Sequence, residues 1–191
     1  MGHDHLRRTD DCCALPDRQS GNRALTMEFI HYALGRWLHI AAGFMWVGLL
    51  YYFNFVNVAA AKAAAADGTD AAIGKYIMPR ALLFFRWAAV VTWLAGAYLL
   101  GGRFLDAFLF RDNAYVPIGV GAWLGTIMLF NVWAIIWPNQ KKILGLVAAT
   151  VEQKAKARRI SFLASRFNTA LSLPLLFFMS ASGGVFRTTY F

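Results

Sequence analysis

Charge is scarce in this chain. Charged residues make up 15% of its 191 amino acids, against about 25% in an ordinary soluble domain. Acidic residues are scarcer still, 10 Asp and Glu against 19 Lys and Arg, which leaves a net charge of +9. On a soluble protein such a balance suggests nucleic acid, but 59% of this chain is hydrophobic, and the apolar runs leave no room for a groove-reading domain. Nucleic acid is therefore excluded as a partner. Cysteine is almost absent: Cys12 and Cys13 stand side by side, a spacing that fits neither a zinc site nor the C-x-x-C-H of covalent haem attachment. Histidine occurs four times, as His3, His5, His31 and His39.

Long apolar stretches fill the rest. A membrane-spanning helix needs about 20 mostly apolar residues, and four stretches qualify: about Ile30 to Val56, Ala81 to Leu100, Val116 to Trp137, and Ile160 to Met179. The fold expected is all-α, a polytopic bundle of four transmembrane helices in contact with lipid. The segment "FLDAFLF" (104–110) is too short to span and is expected at the interface. "AAAKAAAADGTDAA" (59–72) is helix-prone and is expected to extend the first helix as far as Gly68. Pro138 is expected to end the third helix.

The first 26 residues differ in kind. They are polar, with four Arg against four Asp, and have no apolar core, so they do not read as a signal peptide. They read either as a mis-called start, with the protein opening at Met27, or as a disordered tail; residues 27–191 form the transmembrane domain. Lys141, Lys142, Lys154, Lys156, Arg158 and Arg159 crowd the connection from Pro138 to Arg159 against Glu152 alone. The connection from Asn57 to Arg80 carries Lys62, Lys75 and Arg80 against Asp67 and Asp70. Positive connections stay in the cytoplasm, so both of these face inward and both termini are expected in the periplasm. Trp37, Tyr51, Tyr52, Trp133 and Trp137 are expected to mark helix ends at the membrane interface.

Within the apolar spans a few residues carry chemistry. Gly35, His39, Gly43 and Trp46 follow one another at steps of four, four and three, so they share one helix face. An unpaired buried imidazole costs about 1–3 kcal/mol, so His39 must have a metal or haem iron, a proton path, or a plain hydrogen bond to a neighbouring helix. Small residues beside it admit either another helix or a flat cofactor. A b-type haem on His39 would take its other axial ligand from Met78, Met128 or Met179, from a second copy of the chain in a homo-oligomer, or not at all, since the other spans hold no histidine. Arg86 lies about one and a half turns inside the second span; it either reaches back to the cytoplasmic interface or holds an anion such as a haem propionate. Gly121 and Gly125 have the G-x-x-x-G spacing of close helix packing, as do Ala88, Thr92 and Gly96. Asn131, Asn168 and Ser172 can meet at similar depth, with interhelical packing favoured over a substrate site. Pro174 frees a carbonyl in the fourth span.

Taken together, "RWLHIAAGFMWVG", "FFRWAAVVTWLAG", "GTIMLFNVWAIIWPNQKK" and "RFNTALSLPLLFFMS" resemble the membrane domain of the bacterial membrane-bound urate oxidase (urate hydroxylase) family. The resemblance covers nearly all of residues 27–180. It implies an oxidoreductase of the bacterial inner membrane, in which urate is hydroxylated and electrons leave through a periplasmic cytochrome c. Because this sequence has no C-x-x-C-H, the cytochrome is expected to be a separate protein. A different class of function also fits the residues: a non-catalytic transmembrane subunit of a larger respiratory or photosynthetic complex.

Overall fold

The structure, a computed structural model, describes residues 18–181. His3, His5, Cys12, Cys13 and the last ten residues lie outside that range. The chain divides into two units, Met1–Leu34 and Gly35–Phe191. The described part of the first unit is helical from Arg18 onward.

The second unit is a four-helix bundle, and the described residues contain no strand. Helix α1 (Arg18–Tyr51) continues through a π-helical turn, Tyr52–Asn57, into α2 (Val58–Ala66). Gly68 takes a positive φ of 70° and turns the chain, a conformation that costs glycine least. α3 (Asp70–Ala72) and a second π turn, Ile73–Ile77, lead into α4 (Met78–Leu100). After a reversal at Gly101 come the short α5 (Phe104–Phe108), α6 (Val116–Phe130), a third π turn (Asn131–Ile136), α7 (Trp137–Ile143) and α8 (Val151–Ala181). Among the described residues four helical stretches are long and apolar enough to cross a membrane: Thr26–Ala66, Ile73–Phe108, Asn113–Ile143 and Val151–Ala181. Each expected span lies within one of them, and each helix overruns the apolar limits.

Two boundaries differ from expectation. Pro138 does not end a helix; it sits in the first turn of α7, which runs on to Ile143. The π turn just before it widens the helix where proline's missing N–H and its ring would otherwise break the ladder. Asn139 Nδ2 donates to the Ile135 carbonyl at 2.8 Å within the same stretch. The basic connection is also mostly helical, because α8 begins at Val151. Its start is a reciprocal cap: Gln153 N donates to Thr150 Oγ1 at 3.2 Å, and Thr150 N donates to Gln153 Oε1 at 3.0 Å.

The core draws on all four spans. Trp46 and Leu50 of α1, Leu82 and Phe85 of α4, Met128 and Val132 of the third span, and Leu175 of α8 form one buried cluster. Phe53 meets Phe85 edge to face, their centroids 5.4 Å apart. α5 folds back on α6: Trp123 Nε1 donates to the Phe108 carbonyl at 2.9 Å, and Gly119 lets the Ala107 carbonyl lie against the α6 backbone. The short segment is thus tied to its neighbour. Pro174 lies inside α8 without interrupting it.

Candidate functional site

The polar residues singled out in the sequence fall into three separate places. The first is the α1–α4 seam. The face bearing Gly35, His39, Gly43 and Trp46 turns toward α4: a Cβ at Gly35 would meet Tyr98, and one at Gly43 would lie 3.7 Å from the Thr92 methyl. Trp46 is buried. The glycines therefore admit a helix. His39 Nδ1 lies 2.8 Å from the Thr92 carbonyl oxygen, and with its proton on Nδ1 the ring donates there. Among the described residues Nε2 has no hydrogen-bond partner. Gly96 is required for this pose, because a Cβ there would stand 2.9 Å from His39 Cε1. Thr92 itself is held by its hydroxyl, which donates to the Ala88 carbonyl at 2.7 Å.

The second place is a polar ladder along the inner face of α8. Asn168 Nδ2 donates to the Met128 carbonyl at 3.1 Å, and its Oδ1 accepts from Asn131 Nδ2 at 2.7 Å. Asn131 Nδ2 also reaches the Ala164 carbonyl at 2.9 Å. Ser172 does not join the asparagine pair. It lies 3.0 Å from the Tyr51 hydroxyl and donates to the Thr169 carbonyl at 2.7 Å. Asn54 completes the ladder, donating to Ser165 Oγ at 2.7 Å and to the Leu50 carbonyl at 2.8 Å. Asn54, Asn131, Asn168 and Ser172 are all buried, and Asn54 and Asn131 each stand in a π turn. Asn131 Oδ1 and Ser161 Oγ are left without partners. No titratable side chain other than Tyr51 takes part. The ladder joins helices at a depth where an unsatisfied polar group is costly.

Of these residues the sequence singles out Asn131, Asn168 and Ser172; Asn54, Ser165 and the Tyr51 hydroxyl join them only in the folded structure. Tyr51, one of the aromatic residues that mark the end of the first span in the sequence, turns its hydroxyl to Ser172. The usable signal is the i, i+4, i+7 and i+11 spacing of Ser161, Ser165, Asn168 and Ser172 along one face.

The third place surrounds Arg86. Its guanidinium carbon lies 3.6 Å from the centroid of Trp137 and 5.9 Å from that of Trp133. Trp133 in turn meets Trp87 edge to face at 5.6 Å. Arg86 lies six residues before Thr92, about 9 Å along the helix axis, and on a different face. The structure therefore does not bring Arg86 to His39. A cation–π contact is worth about 0.5–2 kcal/mol, less than the ~2.5–3.5 kcal/mol charged to an arginine at mid-membrane on insertion scales. No group of three or more His, Cys, Asp or Glu that could hold a metal occurs among the described residues.

Comparison with known proteins adds one finding. Residues 104–189 match the family model described as Urate oxidase N-terminal. They span α5 to α8, with Asn131, Asn168, Ser172, Trp133 and Trp137, and this part of the chain is similar to the urate oxidase N-terminal domain. The match does not extend over His39 or Arg86. No curated protein and no solved structure matches the chain.

Proposed function

We propose that this chain is the membrane part of a urate-oxidase-like redox system, in which His39 ligates a b-type haem and electrons pass to a separate cytochrome c. The family match over residues 104–189 supports the urate-oxidase relation. The single observation that carries the haem assignment is the fixed imidazole. Histidines that bind metals nearly always donate their other ring N–H to a carbonyl or carboxylate, which sets the tautomer and aims the ligating nitrogen. His39 has that partner in the Thr92 carbonyl at 2.8 Å, leaving the Nε2 lone pair to coordinate. When bound, the haem would supply one-electron transfer.

The chain's own residues would do the positioning. Thr92 O orients the ring, and Gly96 gives it room. Gly43 and Trp46 seat α1 against α4 behind it. The asparagine ladder keeps the remaining helices in register. The basic residues on either side of the α7–α8 turn support a cytoplasmic position for that turn in the bacterial inner membrane, with both termini in the periplasm.

The test is electron delivery. Membranes containing the chain are expected to reduce added cytochrome c when urate is supplied, His39→Ala membranes to fail, and His31→Ala membranes to match wild type. Urate-independent rates, or equal rates in His39→Ala, would remove the proposal. A second reading, a non-catalytic transmembrane subunit, is favoured by the ladder's bonds, which join helices and engage no titratable side chain but Tyr51. It predicts no urate-dependent electron flow and co-purification with a larger complex.

A further inference from the structure

Arg86 stands in the second span, and among the described residues no anion pairs with it. No hydrogen bond or ion pair to a side chain or carbonyl engages its guanidinium, and its covered Nε has no acceptor. Trp133 Nε1, in the same cluster, is likewise unpartnered. A second cation stands close by: Lys141 Nζ lies 6.0 Å from the centroid of Trp137, the indole on which Arg86 stacks at 3.6 Å. The helices that build the cluster, from Met78 to Leu100 and from Val116 to Ile143, contain no Asp or Glu. Two cations therefore share one indole, and among the described residues neither forms an ion pair.

We infer that Arg86, Trp137 and Lys141 form a binding site for the phosphate group of a membrane phospholipid. A guanidinium offers a planar fork of donors that matches two phosphate oxygens at once, and stacking on an indole holds the fork's plane fixed. Lys141 adds a point charge from the first turns of α7, where the helix emerges from its apolar stretch. The neighbours of Arg86 select the source of the phosphate. Leu83 and Trp87 flank it on the outward surface of α4 and are 43% and 52% exposed. A soluble phosphate would have to shed its water to reach a cation between these side chains. A phospholipid brings its phosphate to this level on acyl chains that cover the same apolar surface. The site is independent of the haem assignment, because it lies on a different face of α4 from Thr92 and His39.

Native mass spectrometry of the full chain, purified in mild detergent, tests the site. Wild type is expected to retain one phospholipid per chain, Arg86→Gln to lose at least ten-fold in occupancy, and Arg86→Lys to fall between them. Equal retention in wild type and Arg86→Gln overturns the proposal. Should Arg86→Gln fail to fold, delipidated wild type titrated with lipid decides the matter by tryptophan fluorescence. Phosphatidylglycerol is expected to change the emission, whereas diacylglycerol with the same acyl chains and inorganic phosphate are not. An equal response to diacylglycerol shows that acyl chains alone bind and overturns the proposal. A response to inorganic phosphate without one to phosphatidylglycerol assigns the site to a soluble anion and overturns it as well.

Discussion

Asn131, in the π turn that follows α6, faces Asn168 of α8 with Nδ2 and Oδ1 2.7 Å apart. Both side chains are buried, so neither amide can turn to water when the other is removed. Interhelical hydrogen bonds in membranes are worth about 0.6–2 kcal/mol. Asn168→Ala also removes the bond to the Met128 carbonyl and Asn131→Ala the bond to the Ala164 carbonyl, so the two are expected to cost similar amounts. A double-mutant cycle, read by unfolding in mixed detergent, is expected to give a coupling energy of about 0.6–2 kcal/mol. A coupling near zero would show that the pair is not a unit.

A close backbone approach joins α5 to α6. A Cβ on Gly119 would run into the Ala107 carbonyl, which is backbone and cannot move away alone. Gly119→Ala is therefore expected to shift α5 and to destabilise by about 1–3 kcal/mol, the range for overpacking. The emission of Trp123, whose Nε1 bonds the Phe108 carbonyl, should change with it. Gly48→Ala is the control, because a Cβ there meets nothing within 4 Å. Equal unfolding temperatures for the two variants would contradict the described approach.

How much of this was legible beforehand follows from what each signal measures. The four spans were legible because apolar runs of membrane length can be counted. Their ends were not, since hydropathy reports the thickness of the apolar layer, whereas helix length follows hydrogen bonding. α7 and α8 carry Lys141, Lys142, Glu152 and Lys154 as ordinary helical residues. Pro138 misled because the rule for proline presumes an α-helical turn before it, and a π turn stands there. The meeting of Asn131 with Asn168 was foreseeable from the need of buried amides for partners. The partner of His39 was harder to see: it is a backbone carbonyl, and every residue has one. Arg86 was visible as an anomaly, but its contact with Trp137 depends on how α4 and α7 pack, which spacing within either helix does not encode.

The pose of His39 makes Gly96 a sensitive position. A Cβ there would stand 2.9 Å from Cε1 and 3.1 Å from Nδ1. Gly96→Val is expected to displace the ring from the Thr92 carbonyl and to lower haem occupancy at least several-fold, while the chain still inserts. Absorbance per chain, measured on detergent extracts at equal protein, checks this. Unchanged occupancy would show that the ring's placement against Gly96 does not matter to any ligand.

Topology can be tested apart from chemistry. The basic residues flanking residues 144–150 are expected to hold that turn in the cytoplasm. A cysteine placed at Ala155 should resist a membrane-impermeant maleimide in intact cells, and one at Asn113, on the opposite connection, should react. Labelling of Ala155→Cys from outside would reverse the orientation and with it the side on which a cytochrome c could dock.

The central claim is that His39 holds a haem, and a reduced-minus-oxidised absorption spectrum of the purified full chain tests it most directly. The account predicts Soret and α bands near one haem per chain, lost in His39→Ala and kept in His31→Ala. If instead His39 serves only as a hydrogen-bond donor to Thr92, its removal should cost about 0.6–2 kcal/mol of stability. Absence of the bands from wild type, or equal bands in both variants, would contradict the claim.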